Sequence, residues 1–322
     1  MKTRATALQR IGDYFREIRL TTDLLMLPEE RSWLARPPHN PQPTKLVLHL
    51  GCNVLRTPHM VQTVSGVFQK LRLGFVAVGG PTYCCGAPFL QDAPEEAQAV
   101  AQRSAEYMAE FQPERVVMWC PGCLSYFPRI AGRELPFKLQ HVTEFLVEHL
   151  ERLPLQRPVS RRVALHYHNG NPVALRQAAH ARFLLKAVPE LEVVDIPSDP
   201  RLGLQCTAAS RRSLGAVWDS ILAAQLDQAV DMGAEVLTPI HHSCHRMLVH
   251  FQEKYPIQIE HYLSLVGNSL GLEIEDSYRK YLLLADAVNI LTAARPCLLA
   301  NNVDVESARA LVQKIFVERT PS

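Results

Sequence analysis

Five of the eight cysteines stand at Cys52, Cys84, Cys85, Cys120 and Cys123. They form a single cysteine, an adjacent pair followed by glycine (Cys84-Cys85-Gly86), and a C-x-x-C (Cys120-Pro121-Gly122-Cys123). A tetrahedral zinc takes four ligands, so five thiolates are one too many for it. The sequence carries no export signal, and reduced thiols are expected in the cytoplasm rather than disulfides. Soft thiolates gathered from three segments suit an iron–sulfur cluster, in which several irons must each be held. Cys84 and Cys85 could reach two different irons. Gly86 and Gly122 leave room for close backbone approach, and Pro88 and Pro121 stiffen the loops. Taken singly, a C-x-x-C is also a zinc half-site or a dithiol redox pair.

A second set of possible ligands follows further along the chain. Cys85 to Cys206, Cys120 to His241 and Cys123 to Cys244 are each separated by 121 positions, and His141 to His261 by 120. Near-equal offsets indicate an internal repeat. The second half then carries His168 where the first has Cys52, and Gln205-Cys206-Thr207 where the first has Cys84-Cys85-Gly86. His168, Cys206, His241 and Cys244 make a two-histidine, two-cysteine set of the kind zinc takes. The alternative is a decayed site whose polar groups only hydrogen-bond. His242, His245 and His250 are neighbours, with His242 a substitute for His241. His49 and His166 read as core histidines, and Cys297 as a core thiol in an apolar helix.

Parallel strands are needed to position these groups. Lys45–Leu50, Gly74–Val78 and Arg115–Trp119 are apolar runs, each ending just before a cysteine, with a helical stretch over Glu95–Phe111. Buried parallel strands read as continuous apolar runs, and open α/β sheets place ligands beyond their carboxyl ends. Arg162–Tyr167, Leu191–Ile196 and Glu235–Ile240 repeat the layout. Leu8, Ile11, Phe15 and Ile18 recur at helical spacing, so residues 5–26 are expected to form an amphipathic helix. A proline-rich connector follows at 36–43. The predicted division is an N-terminal helix and connector (1–44), a first α/β domain (45–158), a second (159–270) and a helical C-terminal extension (271–322).

The chain has 322 residues, 47% hydrophobic and 20% charged, with a net charge of +2. That profile suits a soluble protein with large cores and gives no electrostatic case for nucleic acid or an anionic membrane. No stretch reaches the roughly 20 uninterrupted apolar residues of a membrane helix. No glycine-rich nucleotide loop or G-x-S-x-G elbow is present.

The pattern Cys52…Cys84-Cys85-Gly86…Cys120-Pro121-Gly122-Cys123 resembles the CCG (cysteine-rich) domain of the heterodisulfide reductase family. The resemblance spans about residues 45–270. It implies an α/β fold of two tandem Rossmann-like CCG domains with parallel sheets, related by duplication. It also implies a noncubane [4Fe-4S] cluster held by Cys52, Cys84, Cys85, Cys120 and Cys123. The expected function is an iron–sulfur subunit of a heterodisulfide-reductase-like complex acting on a disulfide, thiol or sulfur substrate, bacterial sulfur-oxidising relatives included. Iron–sulfur and flavoprotein subunits are the implied partners, docking on the helical termini. Lactate or glycolate oxidation and succinate dehydrogenase systems are alternatives within the same family, and a zinc-stabilised scaffold is one outside redox chemistry. The second half departs from a complete motif, so at most one cluster of this kind is expected. Some relatives pair one cluster motif with a zinc-type second site, which His168, Cys206, His241 and Cys244 would match.

Overall fold

The structure, a computed structural model, describes residues 4–34, 41–203 and 206–318. Most of the proline-rich connector, and Gln205, lie outside the described residues. Helix α1 (Arg4–Leu25) is followed by β1 (Leu46–Gly51), α2 (Pro58–Lys70), β2 (Val76–Gly79), α3 (Pro94–Ala109), β3 (Arg115–Met118), α4 (Pro121–Ala131), β4 (Lys138–His141) and α5 (Val142–Glu148). The second half runs β5 (Arg161–His166), α6 (Pro172–Lys186), β6 (Leu191–Val194), α7 (Ala208–Leu214), α8 (Ala216–Asp231), β7 (Val236–Pro239), α9 (His242–Val249), β8 (Gln258–Ile259) and α10 (Tyr262–Ser269). The chain continues through α11 (Ser277–Leu284), α12 (Ala287–Ala300) and α13 (Val305–Val312).

Each half builds a parallel four-stranded sheet, in the orders β2-β1-β3-β4 and β6-β5-β7-β8. The α/β class, the parallel sheets and the terminal helices match the expectation. The fourth strand of each half was not foreseen. β4 reads Lys-Leu-Gln-His at the sheet edge, with Lys138 exposed, so it carries no apolar run to announce it. His141 ends that strand instead of opening a helix. His261 does cap a helix: its side chain accepts from the Leu263 amide at the start of α10.

The chain divides into two compact units. One comprises Met1–Val61, Leu73–Val142 and Asp286–Lys314, and the other Gln62–Arg72, Thr143–Ala285 and Ile315–Ser322. In the first unit Val47, Leu48, Leu50, Val116, Val117 and Met118 are fully enclosed, as strands covered on both faces require. Helix α1 buries Ile18, Leu24 and Leu25 in this unit, while Leu8 is half exposed. Asn301, just past α12, donates to the Met26 and Asp23 carbonyls and ties α12 to the end of α1. The apolar face of α1 is therefore covered by its own chain.

Register fixes how the repeat aligns. His49 pairs with Met118 across β1 and β3, and His166 pairs with Pro239 across β5 and β7. Met118 and Pro239 are 121 positions apart, but His49 and His166 only 117. The residue matching Cys52 is thus Asn169, and His168 matches Gly51. This corrects the expected correspondence of Cys52 with His168: the second half carries four more residues between its first strand and Cys206.

Candidate functional site

In a sheet ordered β2-β1-β3, the chain leaves β1 to one side and returns as β3 on the other. Loops diverge there and open a crevice at the carboxyl ends. Cys52 follows β1, Cys84 and Cys85 follow β2, and Cys120 and Cys123 open α4 directly after β3. The five side chains meet in sequence. Cys52 Sγ lies 3.7 Å from Cys84 Sγ. Cys84 contacts Cys85, Cys85 contacts Cys123, and Cys123 contacts Cys120, each through sulfur. All are free thiols, and all but Cys120 are buried.

The surroundings favour negative sulfur. The Gly86 amide donates to Cys84 Sγ at 3.4 Å. Cys123 lies in the first turn of α4, where unpaired amides and the helix dipole favour a thiolate. Cys85 stands at the centre: hydrogen bonds from Cys123 and Cys84, with a backbone amide at Ala87, hold its thiol well below the ordinary range despite burial. Cys84 and Cys123 donate to such neighbours and are pushed well above it. His49, buried in β1, donates from Nε2 to the Tyr83 carbonyl at 2.7 Å and fixes the loop ahead of Cys84.

Two glycines make the cavity. Gly51 has φ +78°, and a Cβ there would lie 3.3 Å from Cys123 Sγ. Gly86 has φ +79°, and its Cβ would come 2.3 Å from the Ala97 carbonyl oxygen of α3. Both positions favour a residue without a side chain. Five soft sulfurs around a cradle that a methyl group would invade fit an iron–sulfur cluster.

The second half gathers a different set. His166, His168, Cys206 and Cys244 are all buried, and their ligand atoms lie within 4.8 Å of one another. His168 Nε2 is 3.1 Å from Cys244 Sγ, and Cys206 Sγ is 3.4 Å from His166 Nε2 and 3.7 Å from His168 Nε2. The orientation of His166 is set from behind. Gln225 Nε2 donates to the Pro197 carbonyl, so Gln225 Oε1 accepts from His166 Nδ1 at 2.7 Å. The Nε2 lone pair of His166 then faces the two cysteines, the arrangement that orients histidines at metal sites. His168 and Asn169 bring no such support; His168 Nδ1 is enclosed without a hydrogen-bond partner.

His241 was expected among these ligands and stands outside the group. Its Nε2 meets Gln177 Oε1 at 3.0 Å, and its Nδ1 lies 3.9 Å from Cys244 Sγ. Burial pushes its pKa down, so the ring is neutral at the edge of the site. His166 was set aside as a core histidine. The signal was present: His166 and His168 are two apart in extended chain, so they project to the same side. Cys244 is held well below the usual thiol range by the Cys206 thiol and His168 against the cost of burial, while burial raises Cys206. His245 pairs with Asp276 at 2.7 Å, and burial pushes His242 down to about 3. Cys297 is only partly buried on α12.

Residues 46–127 match the cysteine-rich domain model, CCG. The five-cysteine segment is a CCG domain. Beyond that segment, the chain is similar to a component of the dihydromethanophenazine:CoB–CoM heterodisulfide reductase of Methanosarcina acetivorans, at 25% identity over 71% of this chain and 60% of that one. The chain thus spans about 60% of the length of that relative. An uncharacterized iron–sulfur protein of Methanocaldococcus jannaschii is 30% identical over 35% of this chain and 23% of its own length. Among solved structures, an aspartate racemase homologue from Pyrococcus horikoshii overlays at a TM-score of 0.31 and 13% identity, covering 70% of this chain and 97% of that one. That likeness is too loose to bear on the CCG domain. Among the described residues no helix is long and apolar enough to cross a membrane.

Proposed function

We propose that the chain is an iron–sulfur subunit of a heterodisulfide-reductase-like complex that passes electrons to or from a disulfide, thiol or sulfur substrate. One observation carries the reading: five cysteine sulfurs form a continuous chain of contacts at the carboxyl ends of β1, β2 and β3. Cys52, Cys84, Cys85, Cys120 and Cys123 would hold a noncubane [4Fe-4S] cluster. When bound, such a cluster supplies electron transfer and a centre at which a sulfur–sulfur bond is made or broken.

The residues of the chain do the rest. Burial of Cys52, Cys84, Cys85 and Cys123 keeps water from the thiolates. The Gly86 amide and the first turn of α4 place hydrogen-bond donors and positive potential at the sulfurs. No side chain here is assigned as an acid or base. Electrons would arrive from partner iron–sulfur or flavoprotein subunits, in the reducing cytoplasm where thiols stay available. His166, His168, Cys206 and Cys244 would hold a single zinc, with His241 and Gln177 behind it.

Metal and acid-labile sulfide analysis of anaerobically purified protein tests this reading. About four iron with sulfide is the expected content for one cluster, and about one zinc for the second site. Zinc without iron or sulfide would overturn the redox reading and leave a zinc-stabilised scaffold. Turnover of the purified complex with lactate or glycolate, and none with disulfides, would assign it to hydroxy-acid oxidation instead.

A further inference from the structure

We infer that Tyr14, on helix α1, is a hydrogen-bond donor to the Cys52 sulfur and sets the reduction potential of the five-cysteine site. The inference rests on the cluster reading above and concerns a residue outside the CCG segment. Tyr14 Oη lies 3.7 Å from Cys52 Sγ. A metal-bound cysteine sulfur carries no proton, so the tyrosine hydroxyl is the group that donates.

The placement of that hydroxyl is built, not incidental. Phe89, four residues beyond Cys85, packs edge-on against Tyr14 at 5.6 Å and against Phe15 at 5.4 Å. Arg10 of α1 pairs with Asp92 at 2.8 Å, just after Phe89. On the other flank Glu17 pairs at 2.6 Å with Arg56, which is buried, and Thr22 donates to the Leu55 carbonyl at 3.0 Å. Arg56 also lies 5.8 Å from the centre of the Tyr14 ring. Arg56 and Leu55 belong to the turn that begins at Cys52. Helix α1 therefore clamps the Cys52 loop on one side and the Cys84-Cys85 loop on the other. The hydroxyl sits at the midpoint of the clamp.

A donor aimed at a ligand sulfur stabilises the extra negative charge that reduction places there. Hydrogen bonds to the sulfurs are among the main determinants of cluster potential. Tyr14 thus favours the reduced state, and its removal lowers the potential.

The test compares wild type, Tyr14→Phe and Phe15→Leu, each loaded with iron and sulfide anaerobically and titrated electrochemically with electron paramagnetic resonance detection. Phe15→Leu loosens the same packing and keeps the hydroxyl. The expected result is equal iron and sulfide in all three, a lower midpoint potential in Tyr14→Phe alone, and an altered resonance in that variant. Equal potentials in wild type and Tyr14→Phe at equal cluster content would overturn the role of Tyr14 and leave the cluster standing. An equal shift in Phe15→Leu would overturn it too, by assigning the effect to packing. A wild-type protein that takes up no iron or sulfide would overturn both this inference and the reading beneath it.

Discussion

His168 occupies in the second half the position that Gly51 occupies in the first, as the pairing of His49 with Met118 and of His166 with Pro239 fixes. In the first half a Cβ at this position would press on Cys123. In the second, a whole imidazole fills it and reaches Cys244, the counterpart of Cys123, at 3.1 Å. One substitution at one sheet position converts an open cradle for several metal ions into a donor for a single ion.

The glycine should be indispensable to the first site. Gly51→Ala forces a side chain onto φ +78° and toward the Cys123 sulfur. The backbone strain alone costs about 1–2 kcal/mol. The expected outcome is a folded protein, slightly less heat-stable, with most of its iron and sulfide gone. Full iron content in this variant would show that the space is not needed.

Cys85 is the sulfur touched by both Cys84 and Cys123. Cys85→Ser removes the central thiolate, so one iron lacks its ligand. Iron and labile sulfide should fall to background while circular dichroism stays native. An unchanged iron content would refute the five-ligand assignment.

At the second site two histidine variants separate ligand from neighbour. His166→Gln removes a donor whose lone pair faces Cys206, and should abolish stoichiometric zinc. His241→Gln removes a ring held by Gln177, and should weaken zinc by roughly 10- to 100-fold, as outer partners do. Cobalt(II) substitution reads both through its visible spectrum. The reverse order of effects would restore His241 as the ligand.

The attachment of α1 should be acid-labile. Burial raises the pKa of Glu17, but Arg56 and Lys314 more than offset this and hold it below its ordinary 4.5. A depressed carboxylate contributes stability that is complete above its unfolded pKa and is lost as pH falls through the folded one. Stability should therefore drop below about pH 4.5. Glu17→Gln should flatten that limb and, by leaving the buried Arg56 uncompensated, cost about 3 kcal/mol at neutral pH. Denaturant melts across pH check both statements.

Much of this molecule could be read from its residues, and the gaps have physical causes. β1 and β3 announced themselves because both faces are covered, which leaves unbroken runs such as Val47-Leu48 and Val116-Val117-Met118. β8 is two residues long and β4 mostly polar, so neither had a run to detect. The cysteines of the first site were plain because ligand identity and spacing are local facts. The choice between His166 and His241 was not, because counting from Cys120 and Cys123 carries the wrong offset back to the first strand. Only strand register shows where the four extra residues fall. The periodicity of α1 revealed that one face would be buried. It held no information about which loops that face would meet, so Tyr14 had no signal of its own.

The clamp formed by α1 also orders events in time. The helix precedes in the chain both loops that it fastens, yet it cannot fasten them until Arg56 and Phe89 have been made and folded. Once seated, it lies over sulfurs of which Cys52, Cys85 and Cys123 keep no more than 4% of their surface. Iron and sulfide must therefore enter while α1 is still loose, or a loading factor must first peel it back. The earliest helix of the chain is then among the last to settle, and maturation of the site becomes a race between metal delivery and closure.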